Sequence, residues 1–309
     1  MTTVSTRACR IRPRPPFSFQ VALGYLGRSP RELLDVVDRP SRTYERAVFI
    51  DGAPCLLGIA DAGTPDAPAL DVAVSSHAPE RHLDAAVALA QRVLQVDVDT
   101  APLGDAVRHD PVFSALVRRF QGARVVQSVS PFETLIWAVL GQQINVAFAY
   151  ALKARMVQRY GDRLDHDGRT FWLFPPAERL AEASLDELRE MQFSRQKAAY
   201  VTDLAHVEAQ GRINWDALRR APTEEAVSTL TSLRGVGRWT AEYVCMRGLA
   251  HPDVIPAADI GLRSAIGKAY GMDRNATEAE VRELAEGWAG WRSHAAFCWW
   301  YSLSAARQA

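Results

Sequence analysis

An α+β domain built on an antiparallel sheet, followed by an all-α region, is the fold class the sequence predicts. Three observations carry that prediction. Hydrophobicity of period two runs from residue 17 to about residue 74, a polar segment with two prolines and a glycine occupies 97–111, and helical periodicity with marked starts follows it. The N-terminal domain is placed at 1–105 and the helical region at 106–309.

Residues 17–23, 44–50, 55–59 and 70–74 read as strands, with Asp51-Gly52 as the hairpin turn. Two helices accompany them. One starts at Ser29-Pro30, a cap followed by proline, and one runs over about 79–96 with Leu83, Ala86, Val87, Leu89, Ala90 and Leu94 on one face. Beyond the boundary a helix near 112–120 precedes Ser130-Pro131-Phe132-Glu133, which has the pattern of a capping box. The helix it opens is apolar nearly all round and therefore central to the core. It stops at Gly141, and the short polar link 141–145 leads into a helix reaching about Tyr160. Ser184 with Glu187 and Thr277 with Glu280 start later helices, nine or ten in all, and no comparable strand pattern follows Arg124.

Charge and composition narrow the function. Hydrophobic residues at 48% and charged residues at 23% are those of an ordinary folded chain. The 36 basic and 36 acidic residues cancel, so a polycation that coats nucleic acid is excluded and an anionic partner needs a local site. Only Lys153, Lys197 and Lys268 are lysines. Cys9, Cys55, Cys245 and Cys298 are too scattered for a zinc or iron-sulfur framework, and no apolar run is long enough for export or a membrane span. The expectation is a reduced, cytoplasmic protein without a membrane partner. No Walker loop, serine-hydrolase elbow or zinc-protease pair is present.

Three features could carry chemistry. In 233–243 a helix ends, a turn holding Gly235 and Gly237 follows, and a second helix starts at once. Glycine lets the backbone approach a bound group, and the amides of the new helix N-terminus can hold a phosphate without a positive side chain. The same glycines also serve simply to stop one helix and begin another. Trp239 and Tyr243, four apart, share a helix face, and Trp291, Trp299 and Trp300 lie near the C-terminus. Such aromatics are core residues or the walls of a slot that stacks a planar, positively charged base. Asp259, in small apolar surroundings, stands at the start of a helix reaching about Tyr270. It is a helix cap, and an isolated carboxylate of this kind also suits a cationic transition state.

Together, the stretch from Gly235 to Ala241, the Pro256-x-x-Asp259 that follows, and Phe132-Glu133 through Leu140-Gly141-Gln142 resemble the helix-hairpin-helix DNA glycosylases. Within them the chain resembles the 3-methyladenine DNA glycosylase II, or AlkA, type, over most of its length. The resemblance implies that Asp259 is the catalytic carboxylate and that Gly235, Val236, Gly237, Arg238 and Thr240 hold the DNA backbone. It places Trp239, Tyr243, Trp300 and Phe132 in the base pocket. It gives the backbone carbonyls of Thr231, Leu233 and Val236 to a structural monovalent cation, with no organic cofactor and no iron-sulfur cluster. Where this type has an apolar leucine as its duplex wedge, the chain has Gln143, with Ile144 as the adjacent apolar side chain. Relatives that cleave the strand carry a Schiff-base lysine directly after the glycine turn, a place taken here by Trp239.

The implied activity is that of a monomer which flips alkylated bases, of the 3-methyladenine and 7-methylguanine class, out of double-stranded DNA and hydrolyses the N-glycosidic bond. A non-catalytic damage-binding protein and a bifunctional glycosylase/lyase for oxidised bases are the rival readings.

Overall fold

The computed structural model describes residues 4–305. Its N-terminal part contains β1 (Ser5–Ile11), α1 (Phe19–Leu26), β2 (Val36–Asp38), β3 (Thr43–Ile50), β4 (Ala53–Asp61), β5 (Leu70–Ser76), α2 (Pro79–Leu94) and the one-turn α3 (Leu103–Ala106). The strands form one antiparallel sheet in the order β1-β5-β4-β3-β2. Asp51 (φ 49°) and Gly52 (φ 75°) join β3 to β4 with both central residues left-handed, the turn that matches strand twist. α2 packs on one face of the sheet through Ala86, Ala90, Val93 and Leu94, as its periodicity requires.

Two expectations fail in this part. Residues 17–23 belong mostly to α1, not to a strand: Ser18 caps it by accepting from Val21 N (3.3 Å), and seven of its eight residues are buried. A helix without a polar face shows no amphipathic period, which is why the pattern misled. The segment after Ser29-Pro30 forms turns instead of a helix, because its carboxylates are pulled inward: Glu32 to Lys153 (2.9 Å) and Asp35 to Arg46 (2.7 Å). β1 escaped notice because six of its seven residues are exposed at the sheet edge.

The remainder comprises α4 (Pro111–Arg119), α5 (Pro131–Gly141), α6 (Val146–Tyr160), β6 (Arg163–His166), β7 (Arg169–Trp172), α7 (Ala177–Ala181), α8 (Leu185–Glu190), α9 (Arg195–Ala209), α10 (Trp215–Arg220), α11 (Thr223–Thr231), α12 (Arg238–Arg247), α13 (Ile260–Ala269), α14 (Glu278–Glu286) and α15 (Arg292–Ala305). This region is not wholly helical. β6 and β7 form a hairpin turned by Asp167 (φ 46°) and Gly168 (φ 73°), and each strand is too short to display a period. Phe171 and Leu173 close over Ala47 and Leu56 of the sheet, while Arg169 pairs with Glu45 (2.5 Å). The helices exceed the nine or ten expected because α7, α8 and α10 are single short turns.

Of the three capping boxes, one is complete, at Thr277 and Glu280. Ser130 does cap α5, accepting from Glu133 N (3.0 Å), but the Glu133 carboxylate reaches across to Arg46 on β3. Ser184 likewise caps α8, while Glu187 goes to Arg159 (2.5 Å) and Tyr160 (3.1 Å). α5 is buried along its length at the centre of the helices, as an all-round apolar helix must be. One connected apolar core runs from the sheet through α5 to α15.

Candidate functional site

The site is assembled from the turn between α11 and α12, the start of α13, the middle of α15 and the link between α5 and α6. In the turn, Gly235 has φ +85°, and a Cβ there would lie 2.4 to 2.7 Å from the Tyr200 ring, so both conformation and space demand glycine. Gly237 has an ordinary φ of −86° and nothing within 4 Å of a Cβ, so it faces open space. As the N-cap of α12 it offers no capping side chain, which leaves the first-turn amides without an intrahelical acceptor.

The neighbouring side chains are engaged elsewhere. Arg238 pairs with Glu224 (2.8 Å) and Glu242 (2.9 Å), and Thr240 is buried with its hydroxyl accepting from Gln142 Nε2 (3.0 Å). Thr240 therefore presents only backbone at this end of α12, while the Arg238 guanidinium stays half-exposed beside its two carboxylate partners. Val236 is buried, and its amide donates to Leu233 O (3.1 Å). Among the described residues no hydrogen bond reaches the carbonyls of Thr231 or Val236, which lie on either side of the turn.

Trp239 and Tyr243 stand one turn apart on α12 with ring centroids 5.7 Å apart, and Trp300 of α15 comes within 5.6 Å of Tyr243. The two tryptophans share one carboxylate through their indoles. Asp259, N-cap of α13, accepts at Oδ1 from Leu262 N (2.7 Å) and Trp300 Nε1 (2.9 Å), and at Oδ2 from Trp239 Nε1 (3.2 Å). Among the described residues no Lys, Arg or His lies within ion-pair distance of it. The Asp259 carboxylate is thus oriented by neutral donors, and Oδ2 keeps acceptor capacity to spare. Burial pushes the Tyr243 phenol well above its ordinary value, with the nearby Tyr25 phenol adding to the shift, so it stays neutral.

Phe132 is not part of this cluster: it lies in the core with its ring edge-on to Phe174 at 6.1 Å, because the second position of α5 faces inward. Three further residues lie here: Trp137 and Ile260, which no sequence pattern singles out, and Gln142, given no role beyond its place in the motif. Trp137 donates to the Tyr243 hydroxyl (3.0 Å), and Gln142 donates to Gly235 O (2.9 Å) as well as to Thr240. Ile260, next to Asp259, is 72% exposed. Gln142 was legible as a polar residue ending an apolar helix, but only the fold shows which turn it reaches. Gln143 is exposed in the left-handed region (φ +57°), and Ile144 is half-buried against the core.

Among the described residues no group of three or more His, Cys, Asp or Glu side chains is placed to hold a metal ion, and no helix is long and apolar enough to cross a membrane.

This architecture has close counterparts. Residues 136–290 match the HhH-GPD superfamily base excision DNA repair protein family. A DNA-3-methyladenine glycosylase of Bacillus subtilis is 36% identical over 208 residues, which span 67% of this chain and 69% of that one. DNA-3-methyladenine glycosylase 2 of Escherichia coli is 35% identical over 181 residues, 59% of this chain and 61% of its own. The solved 3-methyladenine DNA-glycosylase from Archaeoglobus fulgidus superposes with a TM-score of 0.81 at 28% identity, covering 94% of this chain and 97% of the other. An 8-oxoguanine glycosylase/lyase of Clostridium acetobutylicum shares the fold at 15% identity and a TM-score of 0.76. The chain belongs to the HhH-GPD superfamily of base excision DNA repair proteins, and within it is of the AlkA type.

Proposed function

We propose that the protein acts as a monomer on double-stranded DNA, flips out alkylated bases of the 3-methyladenine and 7-methylguanine class, and hydrolyses their N-glycosidic bond. The observation that carries this reading is Asp259: a carboxylate held by one amide and two indoles, paired with no cation among the described residues, beside three aromatic rings. A methylated purine that already bears positive charge leaves readily, so a strong general acid is not needed. Its departure builds positive charge on the sugar, which an unpaired carboxylate stabilises without reorganising. Trp239, Tyr243 and Trp300 supply faces that attract a cationic ring more than a neutral one. Oδ2, which among the described residues accepts only from Trp239, is the oxygen left to meet the sugar or orient water.

The turn supplies the anchor. Gly237 faces open space, and the α12 amides beyond it hold a phosphate against the helix N-terminus. The carbonyls of Thr231, Leu233 and Val236 are the uncharged oxygens assigned to a monovalent cation, which would add positive charge beside that phosphate; those of Thr231 and Val236 accept no hydrogen bond among the described residues. Gln143, exposed at the tip of the α5–α6 link, fills the gap left by the flipped base. Residues 106–309 carry these parts, and 1–105 brace them. No Schiff-base step is assigned. Trp239 occupies the relevant position, Lys153 is spent on Glu32 (2.9 Å), and Lys197 donates to the carbonyls of Val139 (3.0 Å) and Gln142 (2.6 Å).

The test is release of free methylated purine and formation of alkali-labile abasic sites in methylated duplex DNA by the wild type and by Asp259→Asn. Excision by the wild type alone supports the assignment. Tight binding without excision by either protein makes this a non-catalytic damage-binding protein, and a borohydride-trapped intermediate with strand cleavage makes it a lyase.

A further inference from the structure

Lys197 is a buried ammonium with no ion pair among the described residues. It is 9% exposed, stands in the first turn of α9, and donates to Val139 O (3.0 Å) and Gln142 O (2.6 Å), the carbonyl end of α5. A cation at a helix C-terminus is favourable, and two carbonyls repay part of its desolvation. The same α9 face also supports the phosphate turn. Three residues on, Tyr200 fills the space under Gly235, and three further on, Asp203 pairs with Arg234 (2.6 Å). Gln142 closes the circuit, with its carbonyl on Lys197 and its amide on Gly235 O (2.9 Å) and Thr240 Oγ1 (3.0 Å). The next residue, Gln143, turns left-handed into solvent.

We infer that Lys197 and Gln142 are positioning residues that lock the α5–α6 link to the α11–α12 turn, so that anchoring the DNA backbone fixes where Gln143 enters the duplex. The inference rests on the function proposed above. Without the clamp, the turn still binds phosphate, but the insertion of Gln143 is no longer held in register with it. The cost falls on the step that opens a stable base pair and is small where the pair is already weak.

The experiment places 2-aminopurine at the target position, in a proper pair or in a mismatch, and follows the fluorescence gained on unstacking as protein binds, a readout that needs no bond cleavage. Lys197→Met is expected to lower unstacking of the paired base about tenfold and of the mismatched base far less, with Lys197→Arg recovering part of the loss. In the Lys197→Met background, Gln143→Ala is expected to add little, because both act on one step. Gln142→Leu, which removes only the amide donors to the turn, serves as the second variant if Lys197→Met fails to fold. Equal losses for paired and mismatched bases, or additive effects with Gln143→Ala, overturn the clamp. Unstacking that behaves as expected without any excision sinks the glycosylase reading and leaves the clamp standing. No unstacking by the wild type sinks both.

Discussion

Two aspartates in this protein cap helices and accept indole N–H groups, yet they are built for opposite ends. Asp110 caps α4 with Oδ1, accepting from Val112 N (3.1 Å) and Phe113 N (2.9 Å), while Oδ2 accepts from Trp288 Nε1 (3.0 Å) and the Tyr270 hydroxyl. Each oxygen has two donors, and the carboxylate is saturated. Asp259 caps α13 with the same logic at Oδ1, but among the described residues Oδ2 has a single donor, Trp239 at 3.2 Å. The absence of a fourth donor among the described residues leaves Asp259 the free acceptor capacity that its proposed role requires and that Asp110 lacks.

The largest effect that could break this contrast is at Asp259. Asp259→Asn keeps the cap, so the melting temperature should hardly change, while excision should fall by about 100-fold or more. A parallel loss of stability and activity would make the two aspartates alike. Gly235→Val should come next. It forces a β-branched residue to φ +85° against the Tyr200 ring, at a cost of about 2 to 4 kcal/mol, with DNA affinity falling for all sequences. Gly237→Ala has room and an ordinary φ, so calorimetry should show little change while DNA affinity drops. Unchanged affinity would remove the close backbone approach.

Asp110→Ala should cost about 1 to 3 kcal/mol in denaturant titrations, from a lost cap and two stranded donors, and leave excision intact wherever the protein stays folded. Its pH dependence follows from the donors. Burial works to raise the Asp110 value, but the Phe113 amide, Tyr270, Trp288 and the Val112 amide outweigh it and hold the carboxyl below its usual range. A lowered folded-state value means stability that is complete above the unfolded pKa and lost as pH falls through the folded one, below about pH 4. Wild type should lose this increment in acid melts, and Asp110→Ala should not.

Smaller effects sharpen the contrast at Asp259 itself. Trp300→Phe and Trp239→Phe keep a ring but remove one indole donor each, and should slow excision roughly three- to tenfold. Trp300→Phe should be the more harmful, since its contact is the shorter at 2.9 Å. Smallest of all, Gln143→Ala should slow removal of bases from stable pairs more than from mismatches in single-turnover assays; identical effects would end its role as a wedge.

Much of the site was legible because helix ends announce themselves. The double glycine, the aromatic pair four residues apart and the capping aspartate each follow a local rule, and the fold brings them together. The N-terminal part was harder. α1 is buried almost all round, β1 is exposed almost throughout, and β6 and β7 are four residues each, so none displays the period that identifies its type. The tie from Gln142 to Gly235 spans 93 positions and depends on tertiary packing that no local pattern encodes. Glu133 and Glu187 fit capping boxes by spacing, but cations on other elements claimed them, Arg46 and Arg159 respectively.

The near absence of lysine makes the native chain convenient for spectroscopy. Lys153 and Lys197 are buried, and Lys268 is exposed in the last turn of α13, the helix that Asp259 caps. Cys9 on β1 is exposed, while Cys55, Cys245 and Cys298 are buried. With the α-amino group blocked first near neutral pH, where it is the more reactive amine, an amine-directed fluorophore and a thiol-directed one would therefore settle at different parts of the molecule without any substitution, one on the helix that Asp259 caps and one on the sheet edge. Energy transfer between them would read changes in the spacing between the N-terminal sheet and the helical region as DNA is engaged.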